Sequence, residues 1–131
     1  EEGLRKILNY GHTVGHAVES HFLGKGRPKL LHGEAIAIGM ICEALMAVET
    51  LDLEKDVPHR IANYIHQLYE LPVLDDEAVA AVELLTMQDK KNKGHQVRAA
   101  LIDRIGSCVY DVEVSARNIR NAVMEYNRLL V

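Results

Sequence analysis

The stretch Gly33–Leu51 constrains the fold more than any other part of the chain. It reads Gly-Glu-Ala-Ile-Ala-Ile-Gly-Met-Ile-Cys-Glu-Ala-Leu-Met-Ala-Val-Glu-Thr-Leu, apolar on nearly every side of a helical wheel. A surface helix needs only one apolar stripe, whereas a helix that is apolar all round must be enclosed by other elements. The segment therefore predicts a central, buried helix. Its longest apolar run, Ala35–Cys42 with Gly39 inside it, is far short of the ~18 residues that would span a bilayer. A chain of 131 residues is one domain by size, and it can bury roughly two thirds of its unfolded surface.

Amphipathic partners for such a helix are visible on both sides. Leu4–Phe22 predicts one helix, with Ile7, Val14 and Val18 at helical spacing and Gly11 and Gly15 as its weak points. Gly24-Lys25-Gly26-Arg27-Pro28 reads as a connector. Leu53–Tyr69 predicts a third helix with a stripe of Val57, Ile61, Tyr64, Ile65 and Leu68, ended by Pro72. Asp75-Asp76-Glu77 opens a fourth, followed by Val79, Val82, Leu84 and Leu85. Residues 89–95 read as a polar loop. Val97–Ile102 and Ser107–Val112 are short β-rich runs around a turn. Ser115–Leu130 predicts a last helix with Ile119, Val123, Tyr126 and Leu130 facing inward. The expected fold class is mainly α, a multi-helix domain with one small hairpin near 97–112.

Composition excludes several function classes. The chain is 48% hydrophobic and 26% charged, which rules out global disorder. A net charge of −4 without an extended basic block argues against nucleic acid. Cys42 and Cys108 lie in apolar stretches far apart, the pattern of two reduced thiols in a cytoplasmic protein. Glu1-Glu2-Gly3 is not the cationic start of a signal peptide.

Chemistry concentrates in the histidines. His12 and His16 are four apart on a predicted helix, so their rings leave one face about 6 Å apart. That arrangement can hold a divalent metal, and it is also the pattern of an ordinary solvated face. Gly11 and Gly15 each precede a histidine, at a helix cost of about 1 kcal/mol apiece, so something must approach this backbone closely. His32, at the entrance of the buried helix, offers a third imidazole. Arg5, Asn9, His12 and His16 recur at helical spacing as one polar stripe, suited to an anionic, oxygen-rich ligand. His21, His59, His66 and His95 stand without such company and read as surface residues.

Leu8-Asn9-Tyr10-Gly11-His12-Thr13-Val14-Gly15-His16-Ala17-Val18-Glu19, then Leu31-His32-Gly33-Glu34-Ala35-Ile36-Ala37-Ile38-Gly39-Met40, then Asp89-Lys90-Lys91-Asn92, resembles the C-terminal helical half of the 3-dehydroquinate synthase family over essentially the whole chain. The resemblance implies a cytoplasmic, usually homodimeric lyase of the shikimate pathway that uses NAD and zinc or cobalt. It converts 3-deoxy-D-arabino-heptulosonate 7-phosphate to 3-dehydroquinate and phosphate. By motif position it implies His12 and His32 as metal ligands and His16 as a catalytic, proton-handling residue near the substrate's phosphate. It implies Asn9 and Arg5 on substrate oxygens, and Lys90 or Lys91 on the phosphate. The two members of the i, i+4 pair then do not share one metal.

The family's NAD-binding α/β half has no counterpart in these residues, so the chain is expected to be a C-terminal domain, inactive alone, with 1–131 as one unit. The connector at 24–29 is longer than in typical members. Sister cyclases acting on other sugar phosphates (amino-dehydroquinate, deoxy-scyllo-inosose and valiolone synthases) share the metal motifs. Metal-dependent alcohol and glycerol dehydrogenases are more distant, and Asn9 and Glu34 argue against them. A non-catalytic helical interaction domain with incidental histidines is the remaining alternative.

Overall fold

The computed structural model describes residues 2–24, 26–27, 29–88 and 97–130. Six helices and one hairpin follow in the order α1 (Glu2–Ile7), α2 (His12–Phe22), α3 (His32–Leu51), α4 (Asp56–Leu68), α5 (Asp76–Met87), β1 (Val97–Arg104), β2 (Ser107–Val114) and α6 (Ala116–Leu129). The chain is mainly helical, as its periodicity requires.

The central helix is α3. Ala35, Ala37, Ile38, Ile41, Cys42, Ala44, Met46 and Ala47 are all buried. Helices α2, α4 and α6 and strand β1 pack around it. Glu34 begins it by accepting the Leu31 N–H at 2.8 Å, which satisfies one of the donors that a helix start leaves without a partner. Helix α6 lays Ile119, Val123 and Tyr126 into the core. The Tyr126 hydroxyl donates to the Pro72 carbonyl at 2.7 Å, and Asn127 exchanges hydrogen bonds with both backbone groups of Leu74. These bonds pin the stretch between α4 and α5, which has no ladder of its own.

The hairpin is antiparallel. It runs from Val97 opposite Val114 to Arg104 opposite Ser107 and turns at Ile105-Gly106, where Gly106 has φ +89°. Both strands extend two residues beyond the apolar runs that predicted them. Lys6 on α1 ties the hairpin down, donating to Asp111 at 2.8 Å and lying over the Tyr110 ring.

Two expectations need correction. The single helix over Leu4–Phe22 is two helices, because residues 8–11 form a turn. The α4 stripe is narrower than expected: Val57 and Ile65 are buried, but Tyr64 and Leu68 are exposed. On α5, Leu84 is exposed as well. Of the histidines read as surface residues, His59 and His66 are exposed, and His21 is half-buried edge-on against Phe22. His95, Asp89, Lys90 and Lys91 lie outside the described residues. No helix among the described residues is long and apolar enough to cross a membrane.

Candidate active site

The break between α1 and α2 builds the site. In an unbroken helix the Gly11 and Val14 N–H groups would bond to the carbonyls four residues back, at Ile7 and Tyr10. Here both bond to Glu43 on α3: Gly11 N–H to Oε1 and Val14 N–H to Oε2, each at 2.9 Å. The Thr13 N–H also acts on this carboxyl. The chain before it tightens into i→i+3 bonds, from Leu8 to Arg5, Asn9 to Lys6 and Tyr10 to Ile7. Gly11 then takes φ +87°, a left-handed conformation that glycine adopts without a side-chain penalty. Helix α2 has no side-chain cap of its own. A carboxyl from the neighbouring helix supplies the acceptors instead.

Glu43 is fully buried. Burial pushes its carboxyl up to about 8, against the downward pull of the Val14, Gly11 and Thr13 N–H groups. The same surroundings raise the Tyr10 phenol, chiefly through burial and next through Glu43. Tyr10 donates its hydroxyl to the Met40 carbonyl at 2.7 Å, a second stitch between the turn and α3.

The glycines explain how the helices come this close. A Cβ at Gly39 would stand 2.0 Å from the Gly11 carbonyl oxygen and 2.7 Å from the Gly15 nitrogen. Cβ atoms at Gly11 and Gly15 would meet Met40 and Ile36 at 2.7 and 2.8 Å. The partner that approaches the backbone beside His12 and His16 is therefore α3, not a ligand.

Three imidazoles converge where α2 and α3 begin. Ring centroids are 5.0 Å apart for His12 and His16, 6.2 Å for His12 and His32, and 6.4 Å for His16 and His32. His12 and His32 each turn Nδ1 toward an oxygen acceptor. His12 Nδ1 lies 3.3 Å from the Tyr10 carbonyl oxygen, and His32 Nδ1 lies 3.1 Å from both carboxylate oxygens of Glu19. A ring that donates through Nδ1 keeps its lone pair on Nε2, the form that binds a metal.

Two imidazoles on one tetrahedral zinc, with nitrogens ~2.1 Å from the ion, place their centroids about 5 Å apart. By that span His12 and His16 fit as they stand, and His12 and His32 are about an ångström beyond it. Among the described residues no three His, Cys, Asp or Glu side chains close into a metal-holding group.

The expected polar stripe is not continuous. Arg5 is exposed on α1 and Asn9 is exposed in the turn, so neither shares a helix with His12 and His16. Beside the histidines an open groove of about 680 Å³ runs over α3 and α4. Its walls include His12, His32, Ile36, Met40, Tyr64 and the hairpin tip Ile105. The exposed Tyr64 therefore belongs to the site's rim.

Sequence reasoning passed over Glu43 and Glu19. The signal for Glu43 was present: it is the one acid within the otherwise apolar stretch Ala35–Val48, and an acid there needs partners. Glu19 follows His16 by three positions and His12 by seven, on the same face of α2.

Residues 1–92 match the 3-dehydroquinate synthase C-terminal family. The 3-dehydroquinate synthase of Thermodesulfovibrio yellowstonii is 37% identical over 130 residues, covering 95% of this chain and 34% of that protein. The pentafunctional AROM polypeptide of Malassezia globosa is also 37% identical, over 95% of this chain and 8% of that protein. Among solved structures, a 2-deoxy-scyllo-inosose synthase complexed with carbaglucose-6-phosphate, NAD+ and Co2+ superposes with a TM-score of 0.68 at 25% identity, covering 89% of this chain and 32% of that one. The chain thus spans about a third of the length of the bacterial relative and of the solved structure. Family match, relatives and helical architecture agree, and the chain belongs to the 3-dehydroquinate synthase C-terminal domain family.

Proposed function

We propose that this chain is the metal-holding helical part of an NAD-dependent sugar-phosphate cyclase, a carbon–oxygen lyase that converts 3-deoxy-D-arabino-heptulosonate 7-phosphate to 3-dehydroquinate and phosphate in the cytoplasm. The observation that carries this reading is the convergence of His12, His16 and His32, with the His12 and His32 rings held through Nδ1. His12 and His32 supply two ligands to Zn2+ or Co2+, for which imidazole is a suitable donor. The nicotinamide-binding surface and the third metal ligand belong outside these residues, and the parent enzyme is a homodimer. The one sheet described here is an antiparallel hairpin and offers no parallel β-α-β turn for a dinucleotide.

When bound, the metal supplies Lewis-acid polarisation of a substrate hydroxyl and the nicotinamide supplies hydride transfer. The residues of this chain do the rest. His16, 5.0 Å from His12, holds and returns a proton beside the leaving phosphate. Arg5 pairs with the substrate carboxylate through its fork, and Asn9 holds hydroxyl oxygens. Lys90 or Lys91 meets the phosphate.

A second reading is a sister cyclase of the deoxy-scyllo-inosose type, favoured by the structural likeness to that enzyme. Comparing phosphate release from the heptulosonate phosphate and from glucose 6-phosphate separates the two.

In a complete enzyme carrying this domain, His12→Ala or His32→Ala is expected to remove metal and turnover together. His16→Ala is expected to keep the metal and lower kcat by at least about 100-fold. Metal content by atomic absorption, read beside phosphate release, checks this division. Loss of metal from His16→Ala would mean that His16 is a ligand. The 131-residue chain alone is expected to bind Zn2+ only weakly, because two ligands are fewer than the three of a catalytic site.

A further inference from the structure

We propose that Glu19 is the positioning residue that fixes His32 as a metal ligand, an inference that rests on the metal reading above. Both Glu19 oxygens lie 3.1 Å from His32 Nδ1, so the ring N–H is shared between them. His32 needs such an anchor more than His12 does. Its side chain is 59% exposed at the first turn of α3, and nothing in an exposed position selects one tautomer or one ring orientation. His12 is half-buried and has the Tyr10 carbonyl for the same purpose.

Glu19 is well placed to anchor the ring. It is half-buried on α2 with a side-chain exposure of 30%, while His32 begins α3, so the contact joins the two helices that carry the imidazoles. By donating through Nδ1, His32 keeps its lone pair on Nε2. The neighbouring carboxylate also makes that nitrogen a stronger donor to a cation. Glu34, two residues from His32 in sequence, is engaged elsewhere and accepts the Leu31 N–H. Proximity of charge alone therefore does not make a carboxylate the anchor.

The test uses the 131-residue chain and Co2+ alone as probe. Proton–nitrogen NMR of the metal-free chain should show His32 as the Nδ1–H tautomer, and Glu19→Ala should release it to a mixture. Titration with Co2+ should bind roughly 10–100-fold more weakly in Glu19→Ala. Glu19→Gln keeps one oxygen acceptor and should hold the tautomer with an intermediate loss of affinity. Glu34→Gln, which removes one nearby charge, should keep both tautomer and affinity.

A His32 ring with no tautomer preference in the unaltered chain would overturn the proposal, and so would equal losses in Glu34→Gln and Glu19→Ala. If His12→Ala and His32→Ala bind Co2+ as tightly as the unaltered chain does, the metal reading itself fails. The tautomer measurement uses no metal, so it still decides the role of Glu19.

Discussion

Glu43→Ala is expected to destabilise the chain by roughly 2–6 kcal/mol, a large share of the roughly 5–15 kcal/mol typical of a domain. The substitution removes acceptors from the Gly11 and Val14 N–H groups at once. Each buried donor left without a partner costs about 1–3 kcal/mol. A cavity remains in the tightest part of the core. The carboxyl also ends α1 and begins α2, so its loss removes the reason for the turn at residues 8–11 and loosens the mounting of His12.

Glu43→Gln does not repair this. An amide offers one oxygen acceptor and places its NH2 against the other N–H, whereas a protonated carboxyl keeps a lone pair on both oxygens. Urea unfolding followed by circular dichroism at pH 6 checks the size of both effects. A cost below about 1 kcal/mol for Glu43→Ala would show that water replaces the carboxyl.

The same residue gives stability a defined pH dependence. Its folded value of about 8 lies above the ordinary 4.5 of a glutamate. Between those two values the folded chain holds a proton that the unfolded chain has released. Stability therefore falls as pH rises through that window, by at most about 1.4 kcal/mol per pH unit from this group, and levels off above it. Below about 4.5 both states are protonated and this contribution is constant. The advantage of the unaltered chain over Glu43→Ala should shrink between pH 5 and pH 8. An advantage that grows over that range would mean that the N–H groups outweigh burial and that the carboxylate is ionised in the core.

What could be read from the sequence, and what could not, follows one physical division. Helices α3 to α6 and the hairpin follow from periodicities carried by their own residues, and their limits fall within a few positions of expectation. The turn at residues 8–11 does not, because its cause lies 32 positions away in Glu43. The apolar spacing over Leu4–Phe22 is helical on both sides of the weak point at Gly11, and the tertiary hydrogen bonds to Glu43 decide that the helix breaks there. The glycines at 11 and 15 were legible as sites of close approach, but the sequence alone did not show that α3 is what approaches. Similarly, order along the chain suggested that His32 faces His12 and His16. Glu19 was not singled out, because an acid at helical spacing from two histidines reads equally well as a solvated face. Tyr64 and Leu68 look like core residues by spacing, yet both are exposed, and Tyr64 walls the groove beside the histidines.

Gly39→Ala is expected to be the most damaging glycine-to-alanine change among the described residues, costing more than about 4 kcal/mol or abolishing folding. Helix propensity favours the opposite outcome. Gly39 sits inside α3, where alanine is about 1 kcal/mol better than glycine. The clash outweighs that gain. The new Cβ would lie 2.0 Å from the Gly11 carbonyl oxygen, 2.7 Å from the Gly15 nitrogen and 2.9 Å from the Gly15 Cα, all of them backbone atoms. Unpaired heavy atoms settle at about 3.5–4.0 Å, so α2 and α3 would have to part by an ångström or more. Parting them stretches both Glu43 hydrogen bonds and moves His12 and His16 away from His32, so Co2+ binding should be lost with stability. Gly33→Ala is the internal control, because its Cβ would meet nothing within 4 Å although Gly33 lies one residue from His32. It should be neutral or slightly stabilising and should leave Co2+ binding intact. Thermal melts of the two variants, with Co2+ titrations beside them, check the contrast. A Gly39→Ala chain that melts at or above the unaltered temperature would show that the two helices do not meet backbone to backbone at this crossing.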